Sequence, residues 1–499
     1  MVKKRNKDSR KSFGSKRFNE DFPGARKINA STAYGTCSEQ LSPFGGLLGL
    51  VKFLDLFDFE KHFEEGYISP SRETKLGDYA MVMGIVMLMF IGFNRIWHFV
   101  YIRLEAMLCG IFRVSKLPAA STYWRYLDSM GINQSQALLR IMSRLREQAW
   151  KRCGIQHSRI AIDIDTTVET IYGNQDGGRV GHNPKHRGKK GYRPILCFIE
   201  QTREYLYGKL RKGATVSGEE TAKVIRALKD YLPSCVQKVL LRADAEFMSW
   251  DSVEAALDEG HDFIFSNKQC EPPFDNETWY RPWKRAEVEY NSCMYKPFGW
   301  KQACKFVAMR IPKKPEDTKS QMQQELFEAD PYTYRIFCTN LNGKAHEDID
   351  IYDKRADAEN LIGEVKQEGL AAIPSGKFKN NYAFFQIAML AYNLWRYFKI
   401  LANRCGGKVK TFAGIADNKI RIARLKLLMI GAKVVKSGNR DIVKYSNHDT
   451  RTVFCKTFFQ KVANHFSIKL QLHFPESCKI DFSVVAHCSR IFFPIVVYN

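Results

Sequence analysis

Three acidic positions end stretches patterned as strand or helix, where side chains can converge for chemistry. In Ile160-Ala161-Ile162-Asp163-Ile164-Asp165, isoleucines alternate with small or acidic residues, which predicts a strand from Arg159. Asp163 and Asp165 share one of its faces, and two carboxylates on a face can hold a hard cation. Asp165 comes last, just before Thr166 and Thr167. Asp244 follows the apolar run Val239-Leu240-Leu241 and precedes Ala245-Glu246-Phe247. An Asp at the carboxyl end of a buried strand lies where mixed α/β sheets place ligands. Taken alone, either Asp can equally cap a turn. The third position is Glu359, in a helical pattern with Tyr352, Arg355 and Lys366 at offsets 0, 3, 7 and 14. At about 100° per residue these four fall within an arc of about 60°, one polar stripe, while Ala358, Leu361 and Val365 lie on another side. A solvated face with Arg355 paired to Glu359 explains the charges but not the Tyr among them. Glu364 lies well off the stripe and reads as a solvent charge.

The elements that must position these residues follow from periodicity. After the strand at 159, strands are expected at 193–200 and 203–210, a helix at 218–231, a strand at 238–243, a helix at 249–259 and a strand at 262–266. This βββαβαβ order suits a mixed sheet with helices on its faces. Residues 267–345 break the rhythm with Trp, Tyr, Pro and short alternating runs, and read as a β-rich insertion. Helical patterning returns at 352–368 and 381–404. Upstream, residues 41–150 are helical, and the apolar run 80–93 is too short to span a membrane and reads as a buried core helix. Ser121 is placed to cap a short helix at 122–130, and a second at 135–150 follows Gly131. With Trp124 and Arg125 exposed, this pair resembles a helix-turn-helix as much as a plain packing unit.

Composition narrows the partners. Lys and Arg total 77 against 53 Asp and Glu, a net charge of +24, which points to nucleic acid before membrane. A hydrophobic content of 45% excludes a wholly disordered chain. The 13 cysteines contain no CxxC pair, so they read as reduced cytosolic thiols rather than a zinc ribbon. No secretory signal is visible: residues 1–27 hold ten basic residues and three acids, and residues 1–30 read as a basic disordered tail. Residues 179–193 contain Arg179, Lys185, Arg187, Lys189, Lys190 and Arg193 with no acid, a flexible basic loop suited to phosphates. Residues 404–440 hold ten basic residues against Asp417 alone and read as a second phosphate-binding surface.

The spacing Tyr-x2-Arg-x3-Glu-x6-Lys, met by Tyr352, Arg355, Glu359 and Lys366, resembles the signature of DDE transposases of the IS-four-like clan. Asp165-Thr166-Thr167 resembles their first catalytic segment, and Asp244, in Arg242-Ala243-Asp244-Ala245-Glu246-Phe247, their second. Ala391-Tyr392-Asn393-Leu394 is similar to a helix that follows the catalytic Glu. The run from Asp163 to Glu169, with Gly181-His182-Asn183-Pro184-Lys185 after it, is most similar to the IS-thirteen-eighty group. The likeness covers about residues 159–404.

The resemblance implies an α/β fold: a ribonuclease-H-like mixed-sheet catalytic domain at 156–266 and 346–404, interrupted by the insertion at 267–345. A helical, DNA-binding domain at 31–155 precedes it and a basic region at 405–499 follows. It implies cut-and-paste DNA transposition: cleavage and strand transfer at the ends of an insertion sequence, with Asp165, Asp244 and Glu359 as catalytic, metal-binding carboxylates. The match decides for Asp165 over Asp163. The cofactor implied is Mg²⁺, with Mn²⁺ as a substitute; two such ions about 4 Å apart flank the scissile phosphate. Tyr352, Arg355 and Lys366 would hold the strand that is not transferred, beside phosphate contacts from Arg179, Lys185, Arg187, Lys189 and Lys190. An aromatic of the insertion (Trp279, Trp283 or Trp300) can stack on a flipped base, though core packing is the first use expected of each. The partners implied are element-end and target DNA and a second copy in a paired-end homodimer, with no membrane and no small-molecule substrate. The setting implied is bacterial, cytoplasmic and nucleoid-associated. The alternatives are a ribonuclease-H-like nuclease that does not join DNA and an inactive, transposase-derived DNA-binding protein.

Overall fold

The computed structural model describes residues 28–70, 74–181, 183, 186–213, 215–283, 285, 287–313, 331–406, 412–453 and 455–461. The tail expected at 1–30 lies almost wholly outside them, as does Lys185. The chain divides into two units, residues 1–40 and 41–499. In the first, the Asn29 side chain accepts from the backbone N–H of Ser31 at 3.0 Å and closes a turn. All elements below belong to the second.

The main helices that come first are α1 (Leu47–Leu56), α2 (Phe59–Gly66), α3 (Asp78–Phe90), α4 (Ala106–Phe112), α5 (Ala120–Ser129) and α6 (Ile132–Arg152), with a single short turn of helix at Phe99–Ile102 between α3 and α4. Helix α3 carries the apolar run and is buried from Met81 to Phe90, as a core helix must be. Its Gly84 is required by close approach, because a Cβ there would run into the Tyr123 hydroxyl of α5. Ser121 does not cap α5. That helix begins at Ala120 after the extended Ala119, which places Ser121 inside the first turn.

The sheet strands follow: β1 (Arg159–Thr166), β2 (Ile195–Ile199), β3 (Glu204–Lys209), β4 (Lys238–Ala243), β5 (Asp262–Asn267), β6 (Glu289–Tyr295), β7 (Cys304–Pro312) and β8 (Tyr332–Thr339). Helices α7 (Gly218–Ala227) and α8 (Trp250–Asp258) connect β3 to β4 and β4 to β5. Ser217 and Ser249 cap them, accepting from Glu220 and Ser252 N–H groups. The eight strands form one sheet in the order β6-β7-β8-β5-β4-β1-β2-β3. Strands β1, β4 and β5 are parallel, and the β1-β2-β3 pairings are antiparallel. This β3-β2-β1-β4-β5 half is the ribonuclease-H-like mixed sheet. The strands between 267 and 345 continue it by antiparallel pairing from β5.

Alternation divides the sheet's two faces. Ala161, Leu240, Ile264, Val307 and Phe337 pack under α9 (Ala345–Asp353). Ile160, Ile162, Ile164, Leu241, Phe265 and Phe306 join a larger core that runs from Phe44 to Phe458 and includes α1–α6. At its centre lies α11 (Phe378–Gly406), whose Trp395 stacks on Phe90 of α3 at 3.9 Å. Helix α11 also covers the edge strand β3. Asn393 gives Nδ2 to the Tyr205 carbonyl at 2.8 Å and takes its N–H at 2.9 Å, so the Tyr-Asn motif completes backbone hydrogen bonds at a sheet edge.

Between α9 and α11 lies α10 (Ala356–Val365), followed by a single π turn over Lys366–Leu370. The continuous helix expected at 352–368 is therefore broken. Arg355 N–H donates to Tyr352 O and Ala358 N–H to Arg355 O, both at 2.8 Å, and these tighter three-residue bonds turn the chain as Tyr352 and Arg355 are drawn inward. After α11 come α12 (Ile420–Leu427) and the hairpin β9 (Ala432–Ser437) and β10 (Arg440–Tyr445). No helix among the described residues is long and apolar enough to cross a membrane.

Candidate active site

Strands β1 and β4 run parallel and adjacent, so the residues that follow them emerge side by side. Asp163 and Arg242 are register partners. Arg242 grips Asp163 with Nε on Oδ1 at 2.6 Å and Nη2 on Oδ2 at 2.9 Å. Arg242 also meets Glu200 at 3.1 Å and donates to the Ile351 carbonyl at 2.9 Å. Both members of the Asp163–Arg242 pair are buried, and both Asp163 oxygens are occupied by it. Asp163 is thus committed to a structural pair, which separates it from Asp165.

Asp165 is also buried, at 8% exposure. Its Oδ1 accepts the Thr166 N–H at 2.7 Å and its Oδ2 meets Arg355 Nη2 at 2.9 Å. Burial pushes its carboxyl up to about 6; Arg355 opposes the rise, while Asp244 and Glu359 add to it by repulsion. Asp244 caps the turn Ala245–Phe247 through Oδ1 on the Glu246 N–H at 3.1 Å. Glu359 stands exposed on α10. The three carboxylates, brought by two strand ends and a helix, share one electrostatic neighbourhood. Among the described residues, no three His, Cys, Asp or Glu side chains close into a metal cage. The donor set is nonetheless all carboxylate oxygen, and Mg²⁺ takes a few carboxylates and leaves the rest of its shell to water and phosphate. The residues fit such an ion in charge and chemistry.

The polar stripe divides by environment. Tyr352 is buried with its ring 4.5 Å from Phe337. Arg355 is buried and reaches Asp165 rather than its helical neighbour Glu359. Lys366 donates to the Val168 carbonyl at 2.8 Å and faces Glu169 at 3.4 Å. Glu364, read from sequence as a solvent charge, is buried. It accepts the Ile420 N–H and so lies at the N-terminus of α12, where a carboxylate is favoured.

A cluster that sequence reasoning missed braces the site. Glu246 accepts Thr166 Oγ1 at 3.1 Å, Arg193 Nη2 at 2.5 Å and the Val216 N–H at 3.2 Å. It ties the end of β1, the entry to β2 and the approach to α7 onto the turn that carries Asp244. The signal available for Arg242 was a lone Arg inside an apolar strand, which needs a buried anion.

The basic loop is not a free loop. It contains a small sheet in which Lys190–Tyr192 pairs with both Glu169–Thr170 and Arg179–Val180. Arg179, Arg187, Lys189 and Lys190 are exposed and make no ion pair among the described residues. In the second basic segment, Arg424 is buried on Glu368 and the Phe90 carbonyl, so it serves packing. Of the three tryptophans, Trp300 packs on Trp250 and Phe306, Trp279 lies under the Arg310 guanidinium at 4.2 Å, and Trp283 is 98% exposed.

The family model described as transposase DDE domain group 1 matches residues 35–466. The chain belongs to this family of DDE transposases. No curated protein matches this DDE transposase. Among solved structures it is similar to the piggyBac transposase synaptic complex with hairpin DNA, at 9% identity, a TM-score of 0.40, and coverage of 90% of this chain and 86% of that one. It is also similar to the Mos1 transposase paired-end complex with the left transposon end, at 10% identity and a TM-score of 0.16, covering 39% of this chain and 60% of that one.

Proposed function

We propose that this DDE transposase cuts DNA at the ends of its own element and joins them to a target, in a Mg²⁺-dependent reaction that Mn²⁺ also supports. Asp165, Asp244 and Glu359 are its metal-binding carboxylates. The observation that carries this reading is the convergence of Asp165 and Asp244, from the ends of two adjacent parallel strands, with Glu359 of α10 in one electrostatic neighbourhood, where burial first and the other two carboxylates after it push the Asp165 carboxyl up to about 6. A fold that keeps such a cluster holds it for a cation. Divalent ions bound there would lower the pKa of an attacking water or DNA 3′-hydroxyl and stabilise the leaving oxygen.

The chain's own residues supply position and charge. Arg179, Arg187, Lys189 and Lys190 bind backbone phosphates near the cut, since exposed cations with no ion pair among the described residues are suited to that use, and Lys185 of the same basic run joins them. Tyr352, Arg355 and Lys366 hold the strand that is not transferred. Trp283 is the tryptophan available to stack on a displaced base. A homodimer on paired ends, a bacterial insertion-sequence origin in the IS-four-like clan, and a nucleoid setting complete the reading.

The test is to incubate the full-length protein with a plasmid carrying the element ends and a target plasmid, with Mg²⁺, Mn²⁺ or EDTA. The expected result is metal-dependent release of the element and its joining to the target. Cleavage without joined product would make the chain a nuclease. End binding with no cleavage in either metal would make it a silent DNA-binding protein.

A further inference from the structure

Both cations of the stripe already hold protein anions. Lys366 faces Glu169, and Arg355 sits on Asp165 at 2.9 Å with its Nη2 also 3.4 Å from the Ile164 carbonyl. Arg355 is buried, yet its Nε has no hydrogen-bond partner. A buried guanidinium with a donor left over is under-satisfied, and a second anion would complete it. Asp165 is equally provisional. Its Oδ1 is held by its own backbone neighbour, and the cation on Oδ2 belongs to a side chain at the junction of two short helices.

We infer that Arg355 is the internal counter-cation of Asp165. In the DNA-free protein it takes the place that a divalent ion would need at Oδ2. It is released to a DNA phosphate, which also satisfies the idle Nε. Metal binding and DNA binding are then linked through one ion pair, and linkage is reciprocal: the phosphate that draws Arg355 away raises metal affinity, and the metal raises DNA affinity. The benefit is that a DNA-free molecule does not hold a loaded centre. This inference rests on the carboxylate assignment above and adds what occupies that site before DNA arrives.

The experiment measures Mn²⁺ binding to the DNA-free, full-length protein by electron paramagnetic resonance and by metal-induced thermal shift. The variants are Arg355→Gln, Lys366→Gln and Asp165→Asn. Loss of a competing buried charge pair should tighten Mn²⁺ binding by about tenfold or more in Arg355→Gln. Lys366→Gln removes an equal charge from the same stripe without touching Asp165, so its gain should stay below about threefold, the size of a screened through-space effect. Thermal shift guards against misfolding: Arg355→Gln should melt lower than wild type without metal and recover more of its stability on Mn²⁺ addition. Equal gains in the two charge variants, or no gain in Arg355→Gln, would overturn the counter-cation role. Undiminished Mn²⁺ binding in Asp165→Asn would instead overturn the carboxylate assignment beneath it.

Discussion

Replacing Asp165 by Asn should make the metal-free protein more stable while removing its activity. The carboxyl is pushed up to about 6 from an ordinary 3.8, first by burial and then by Asp244 and Glu359, with Arg355 already counted against the rise. Between about pH 4 and pH 6 the folded chain therefore keeps a proton that the unfolded chain has lost. Stability falls as pH rises through that window and levels off above it. At about 1.4 kcal/mol per pH unit, an ionised Asp165 costs roughly 3 kcal/mol at pH 7. The amide cannot ionise, and Arg355 keeps Asp244 and Asp163 as neighbouring anions rather than being stranded, so Asp165→Asn should recover up to about that much at pH 7 and almost nothing below pH 4. In a chain this long, that amounts to a few degrees of melting temperature. The assay is thermal denaturation in EDTA from pH 4.5 to 7.5. Adding Mg²⁺ at pH 7 to the protein bound to end DNA should stabilise wild type further and give the variant no such gain. A variant no more stable than wild type at pH 7, or a gain of the same size at pH 4.5, would refute the reasoning.

Three further outcomes follow from the geometry. Neutralising Arg179, Arg187, Lys189 and Lys190 should lower the log–log salt slope of DNA binding by about 0.9 for each phosphate no longer held, and an unchanged slope in a filter-binding titration would make them a solvated face. Trp283→Ala should leave the melting temperature unchanged, because the ring is exposed, yet slow end cleavage by about five- to a hundred-fold if it stacks on a base; wild-type cleavage rates would exclude that use. Glu204→Gln should destabilise the fold by about 3–5 kcal/mol, because it strands the fully buried Arg146 that joins α6 to β3; an unaltered melting curve would contradict this.

Much of the fold was legible because its periods are clear. Strand β4 runs over Lys238–Ala243, the bounds expected from its apolar run, and the βββαβαβ order appears in full. What sequence could not show were partners that arrive from distant segments. The helical angle of Glu364 suggested solvent, but the start of α12 covers that side as well. Asp163 and Asp165 share a strand face and were distinguished only by motif; Arg242, from the neighbouring strand, distinguishes them physically. The stripe from Tyr352 to Lys366 was read as one polar set on a continuous helix; the break at Arg355 divides it by environment, with Tyr352 packed on Phe337 and Arg355 turned inward to Asp165. The insertion was legible as β-rich, whereas its continuation of the central sheet depends on long-range pairing between β8 and β5.

The central claim is that Asp165, Asp244 and Glu359 act together at one metal-dependent centre. The most direct test is cleavage of an end-bearing duplex by Asp165→Asn, Asp244→Asn and Glu359→Gln, beside Asp163→Asn and wild type, with end binding measured on the same preparations. The account predicts that the first three variants bind ends and do not cut in Mg²⁺, while any folded Asp163→Asn protein still cuts. Near-normal cleavage by Glu359→Gln, or by either of the Asp165 and Asp244 amides, would contradict it.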